Sequence, residues 1–478
     1  MKTYSSFMGN IKTIEQDFFE KIDPVTQKVV YRCAVAHEEA MEIAIKMAQE
    51  SSLIWRKKTL KERSDVLLEI ASLLQAYKKE LCDLDCLDTG RPISELMSVD
   101  VDSSIENLQY FAKESVYSTL LPQMEYHEDY NLEKTHHPYG ICLGLGAFNY
   151  PLQVACWKLA PAFIAGNSMI FCPSDHTPRS ALLLAELINK TSAPEGLFSV
   201  LLGGRRVAPK LVEDGRISHI SLTGSVPTAQ KIIAASSKHL KKTVMELGGK
   251  SPLLILKDAH VEEAVKGALM ANFYSQGEIC SNATRVYVHE SIYDSFRSLL
   301  VEKMKSIRLG DPFCEKTQMG PLISSEHTAH VLSIIKEGLK NEGKSFQAGE
   351  VRGNYFPPML IEDVDDDNLI AQEELFAPVL CLFSFKSEEE VIHRANKTLY
   401  GLSAGIFSQN IEHAQKVMLQ LDAGSCWINN YNVTPVGMAF GGTKMSGRGR
   451  ENAQEALSDY SWMKTTYIEK KKVDCPYF

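Results

Sequence analysis

Two doubly wound α/β domains with a small β arm are the architecture this sequence predicts, and three observations carry it. The chain has 478 residues, too many for one ordinary core. From about residue 140, short apolar runs alternate with helix-patterned stretches, and the alternation starts afresh at Pro252. Two polar strand-like pieces, roughly 122–136 and Trp462–Ile468, fit neither sheet.

Residues 35–118 read as amphipathic helices. Glu38–Ser51 and Lys61–Tyr77 carry apolar residues at helical spacing, and Asp88-Thr-Gly-Arg-Pro92 is a turn between helices. Four apolar runs, beginning at Ile141, Ser168, Phe198 and His219, predict buried parallel strands, with helices over 151–160, 178–190 and 226–238 between them. Pro151 suits a first helical turn and Pro161 is expected to end that helix. The second alternation runs through Pro252, Arg285, Val379 and Ser425. The expected division is a first α/β domain of 1–118 and 138–247, a second of 248–448, and a β arm of 119–137 and 455–478. Polar edge strands from distant parts of a chain commonly pair with each other and with another subunit, so a homo-oligomer, dimer or tetramer, is expected.

The totals exclude several classes. A net charge of −9 leaves no basic excess to neutralise phosphates, which argues against a nucleic-acid partner. No stretch approaches the roughly 20 apolar residues of a membrane span. The 11 cysteines follow no framework spacing and the N-terminus lacks an apolar signal core, so a cytoplasmic protein without disulfides is expected. Cys82 and Cys86 have no matching Cys or His pair, and no metal is expected.

The chemistry lies in three glycine-bearing breaks. Cys280 sits in Gln276-Gly-Glu-Ile-Cys-Ser-Asn282, Asn149 in Gly146-Ala-Phe-Asn-Tyr-Pro151, and Glu246 in Met245-Glu-Leu-Gly-Gly-Lys-Ser-Pro252. A thiol, an amide donor and a carboxylate are the means to attack a carbonyl, stabilise the oxyanion and activate water. Together with Trp157-Lys158-Leu-Ala-Pro, Thr223-Gly-Ser, Glu373-Glu374-Leu-Phe376 and Gly441-Gly-Thr-Lys-Met-Ser-Gly447, these segments resemble the NAD(P)-dependent aldehyde dehydrogenases, in that family's order from about residue 20 to 470. Gly224-Ser-Val-Pro-Thr, Val265–Phe273 and Ile428–Pro435 bring the resemblance closest to the trimethylaminobutyraldehyde and betaine aldehyde dehydrogenase branch.

The resemblance implies an oxidation of an aldehyde to the acid with NAD, and makes 1–118 with 138–247 the dinucleotide-binding domain, 248–448 the catalytic domain, and 119–137 with 455–478 the oligomerisation arm. Cys280 would form a thiohemiacetal and then a thioester, Asn149 would face the oxyanion, and Glu246 would activate the hydrolytic water. Lys158 and Glu451 would relay protons. The cofactor residues implied are Phe148, Cys172, Ser174, Asp175, Gly204, Thr223, Gly224, Ser225, Leu247, Gly248, Glu374 and Phe376. Cys172 stands where the family usually has lysine, Phe148 where it has tryptophan, and Ala208, Ala229 and Ala377 where it has glycine. Losing that lysine's charge-assisted hydrogen bond weakens binding by about 1.5–3 kcal/mol. Asp175 would accept from the ribose and repel a 2′-phosphate, favouring NAD.

For the substrate, Tyr150, Val154 and Trp157 share a helix face beside Asn149. Family positions add Tyr274 and Phe440, a set resembling a cage for a quaternary ammonium. Asp100 and Asp102 match acids that the branch places near the tunnel entrance, although its further acid is absent from Val436-Gly-Met438. The expected substrate is a trimethylammonio- or aminoaldehyde. A broad aliphatic tunnel, acyl transfer to coenzyme A, and a non-catalytic protein with decayed cofactor binding stand as alternatives. Glu246 opposes the second of these, and the intact Cys280, Glu246 and Asn149 oppose the third.

Overall fold

The computed structural model describes residues 1–11 and 17–477; residues 12–16 and 478, inside the expected first domain and arm, lie outside the described residues. The first large sheet has six strands in the order Gly447–Arg448, Lys242–Glu246, His219–Thr223, Ile141–Leu145, Ser168–Cys172 and Phe198–Val200. All neighbours are parallel except the first pair, where Glu246 faces Gly447. The second has seven, in the order Lys344–Gln347, Met359–Glu362, Val379–Phe385, Arg285–His289, Pro252–Ile255, Ser403–Phe407 and Ser425–Ile428, antiparallel only at its first pair. Continuous apolar runs such as Ile141–Leu145 are buried at every position, as a parallel strand covered on both faces requires.

The two polar pieces form a third sheet. Ser461–Glu469 pairs antiparallel with Tyr130–Pro138 along their whole length, and Gln123–Tyr126 completes it. Its outer strand stays largely exposed, so its polar composition is what solvent on that face selects.

Two local expectations change. The N-terminal strands Lys2–Tyr4, Phe18–Ile22 and Val29–Ala34 form a small sheet that no apolar run announced. Their burial comes from packing over the helical layer and the cleft, not from an alternation of their own. The helix beginning at Pro151 continues through Pro161 to Ala165 and stops at Gly166, whose φ of 98° is left-handed. Every residue of that helix except Gln153 is buried, and this packing outweighs the one backbone hydrogen bond that a proline removes.

Candidate active site

The long cleft between the two large sheets holds about 1180 Å³. Cys280, Glu246 and Asn149 all line it. All twelve expected cofactor residues line its walls, from Phe148 and Cys172 through Thr223, Gly224 and Ser225 to Glu374 and Phe376. Cys280 is half-buried and packs on Trp157, Leu402 and Phe440.

The loop that presents Cys280 depends on Gly277. Its φ is 73°, and a Cβ there would strike the backbone of Ala377 and Pro378. Only glycine satisfies both the left-handed turn and that close approach. The loop is further tied by Asn149, whose Nδ2 donates to the Glu278 carbonyl at 2.9 Å. An amide nitrogen carries two hydrogens, so one holds the loop and the other remains for a reacting oxygen beside Cys280.

Burial pushes the Cys280 thiol up from its ordinary range, and the nearby carboxyls of Glu374 and Glu246 push it further. Burial, then repulsion from Glu451, holds Glu246 well above the usual carboxylate range. Neither of its oxygens has a hydrogen-bond partner among the described residues. Behind it, buried Lys158 donates to Glu451 at 2.6 Å and to Ser221 Oγ at 2.8 Å, and Ser221 donates to Glu451 at 3.0 Å. Lys158 and Glu451 are therefore one polar unit with Ser221, a member that residue patterns did not single out.

The walls formed by the expected cofactor residues have the chemistry a dinucleotide needs. Thr223 Oγ1 is buried without a hydrogen-bond partner among the described residues, and the helix Val226–Ser236 opens on the cleft without a side-chain cap on its N–H groups. Free donors at a helix start suit a pyrophosphate. A Cβ on Gly248 would overlap the Glu374 carboxylate, which accepts the Gly249 N–H at 3.1 Å. Burial raises Glu374 to about 7. Phe376 has a φ of 52°, and its carbonyl meets His327 Nε2 at 2.8 Å, while its ring meets Phe148 edge-on.

The substrate side departs from expectation. Trp157 and Phe440 lie 5.4 Å apart, tilted, against Cys280, and Tyr274 is half-buried. Tyr150, however, carries the Arg91 guanidinium over its ring at 3.9 Å, and its hydroxyl lies 2.9 Å from Ser275 Oγ. The chain's own cation occupies that ring face. Asp100, expected near the tunnel entrance, is 1 % exposed and paired through both oxygens to Arg91. Asp102 is paired to Lys78 at 2.7 Å. Neither acid stands free for an incoming ammonium, because Arg91 and Lys78 reach them first. Arg91 also donates to the Asn149 carbonyl at 3.1 Å and to Ser275. It went unmarked in the sequence because its turn lies 58 residues before Asn149 and nothing local links them.

The aldehyde dehydrogenase family model matches residues 11–466. The chain is 42% identical over 465 residues to betaine aldehyde dehydrogenase of Sinorhizobium fredii, covering 96% of this chain and 95% of that protein. It is 41% identical over 477 residues to 4-trimethylaminobutyraldehyde dehydrogenase of Mus musculus, covering 98% and 96%. Among solved structures, an NAD+ complex of an aldehyde dehydrogenase from Bacillus cereus superposes with a TM-score of 0.94 at 32% identity, covering 98% and 97%.

Proposed function

The chain belongs to the aldehyde dehydrogenase family, and from that premise we propose that it oxidises a trimethylammonio-aldehyde to its acid with NAD through Cys280. The observation that carries the reading is that Cys280, Asn149 and Glu246 line one cleft together with the expected cofactor residues. Cys280 sulfur attacks the aldehyde carbon, and the second Asn149 N–H receives the developing oxyanion. Glu246, buried and unpartnered, takes the thiol proton and later a proton from water. The two-electron acceptor that turns the thiohemiacetal into a thioester is the chemistry a bound NAD supplies. Water then releases the acid, so aldehyde, water and NAD give carboxylic acid, NADH and a proton. Glu451, held by Lys158 and Ser221, is the carboxylate that can take the proton on from Glu246 and so restore it.

Glu374 gives this reading a pH signature. With its carboxyl at about 7, it is protonated at pH 6 and ionised at pH 8. Only the ionised form accepts charge-assisted hydrogen bonds from ribose hydroxyls. NAD affinity should therefore rise from pH 6 to pH 8 by several-fold, measured by calorimetry, and Glu374→Gln should flatten the profile. A flat wild-type profile removes Glu374 from the cofactor site.

The substrate class is supported by the names of the relatives and by Trp157, Phe440 and Tyr274 near Cys280, each ring worth about 0.5–2 kcal/mol to a cation. The pairing of Asp100 and Asp102 favours the alternative of a broad aliphatic tunnel. Rates of NADH formation with betaine aldehyde, 4-trimethylaminobutyraldehyde, 4-aminobutyraldehyde and hexanal decide between them. A kcat/KM at least tenfold higher for the trimethylammonio compounds than for hexanal is expected; equal values leave the chemistry but remove the cage. The arm sheet exposes Tyr126, Met463 and Tyr467, which supports its pairing with another copy in a homo-oligomer.

A further inference from the structure

The turn that leads into Cys280 is strained. Ser275, Gln276 and Gly277 are consecutive left-handed residues, with φ of 49°, 55° and 73°. A side chain is disfavoured in that region, so Ser275 and Gln276 stay there only because their surroundings impose it. Letting them relax would redirect the chain that follows, Glu278-Ile-Cys280, and with it the nucleophile.

Buried groups supply the restraint. Glu95 accepts the Ser275 N–H at 3.3 Å and the Ser275 hydroxyl at 2.9 Å. Gln276 donates from Nε2 to the Pro321 carbonyl at 3.3 Å. Glu278 then closes the turn. Its N–H donates to the Ser275 carbonyl at 2.9 Å, and its own carbonyl accepts from Asn149 Nδ2 at 2.9 Å. Its side-chain Oε1 accepts the Ile323 N–H at 2.9 Å, which ties the turn to a residue of the cleft wall. Any residue offers the two backbone bonds. The side-chain bond needs an acceptor of this length.

Glu278 is 1 % exposed, and burial holds its carboxyl well above the usual carboxylate range. The Ile323 N–H, then Arg91 and Lys21, pull the other way. Proton transfer in the reaction belongs to Glu246, so this second buried acid beside the nucleophile is left with the bond it accepts. From this geometry we infer that Glu278 is a positioning residue, whose side chain holds the strained turn in place by accepting the Ile323 N–H and so fixes Cys280. The inference rests on the role of Cys280 given above. Misplacing a reacting group by about 1 Å can cost about 10²-fold in rate, so one such restraint carries weight.

Two variants of similar size separate accepting from filling space. Glu278→Gln keeps an oxygen for Ile323, whereas Glu278→Met keeps the length and offers only a weakly accepting sulfur. The first reading is the rate at which iodoacetamide alkylates Cys280, followed on its own peptide by mass spectrometry; it needs neither aldehyde nor NAD. Glu278→Gln is expected within twofold of the wild type and Glu278→Met at least fivefold away from it. The second reading is turnover. The kcat should fall at least tenfold in Glu278→Met and less than threefold in Glu278→Gln, with KM for the aldehyde moving less than threefold in both. Thermal melting verifies that each variant is folded. Equal alkylation rates and equal kcat in all three proteins overturn the inference. So does a folded Glu278→Gln that loses tenfold in kcat, a result that decides the matter even where Glu278→Met does not fold. A wild type that oxidises no aldehyde overturns the reading of the site instead, and the alkylation rates then still decide the role of Glu278.

Discussion

Replacing Glu246 by glutamine is expected to cut steady-state turnover by about 10²–10⁴-fold, the range for losing a positioned general base. The reason lies in two neighbouring groups whose burial disfavours their charged forms. Attack by Cys280 therefore needs a group to take the thiol proton, and Glu246 is the nearby carboxyl whose oxygens have no hydrogen-bond partner among the described residues. Glutamine keeps the shape and cannot take a proton. The variant should form its acyl-enzyme slowly, release at most about one NADH per site, and then stall as a thioester on Cys280. Mass spectrometry of the intact protein should show that adduct, and hydroxylamine, which attacks thioesters without a base, should discharge it. The wild-type rate should rise with pH. A base works only when deprotonated, and a carboxyl raised by burial moves that rise above the ordinary carboxylate range. The Gln variant should lose that limb. Steady-state turnover within threefold of wild type would return the base role to Glu374 or to water.

Arg91→Ala is the second large effect, and it should appear in stability as well as in rate. Arg91 is fully buried between Asp100 and Glu95, themselves 1 % and 7 % exposed. Removing one partner of such a set leaves carboxyls uncompensated in the interior and is expected to destabilise by about 3–5 kcal/mol. Denaturant titration reads this as a lowered midpoint. The same change withdraws the donor to the Asn149 carbonyl and the cation stacked on Tyr150. The double variant Arg91→Met with Asp100→Leu separates the two consequences. It removes the stranded Asp100 charge and leaves Glu95 with its Ser275 hydrogen bonds, so part of the stability should return, while kcat stays about tenfold low because Asn149 has lost a fixed hydrogen bond worth roughly 1–1.5 kcal/mol. A double variant that recovers both would make Arg91 a structural residue only.

The sequence was most readable where the physics is local. Buried parallel strands such as Ile141–Leu145 and Arg285–His289 are short continuous apolar runs, and such runs have few other uses. The glycine-bearing breaks at 146, 248 and 277 were equally visible, and Gly277 proved necessary for both its φ and its contact with Ala377. The N-terminal strands Phe18–Ile22 and Val29–Ala34 were less so, since their alternation is weak and their burial comes from elements far along the chain. Pro161 misled because a proline's local effect was read without the packing that surrounds it.

Residue identity and order alone determined the fold class, the family resemblance and the set of groups able to carry out the chemistry, because each of these follows from patterns within a few residues. Which charges remain available was decided only by the tertiary structure. Asp100 and Asp102 are satisfied by Arg91 and Lys78, while the Glu246 carboxyl has no hydrogen-bond partner among the described residues. A side chain's charge is written in the sequence, but its pairing is set by whatever the fold brings within about 4 Å, and over that distance the Coulomb interaction decides whether a group binds a ligand or another part of the chain.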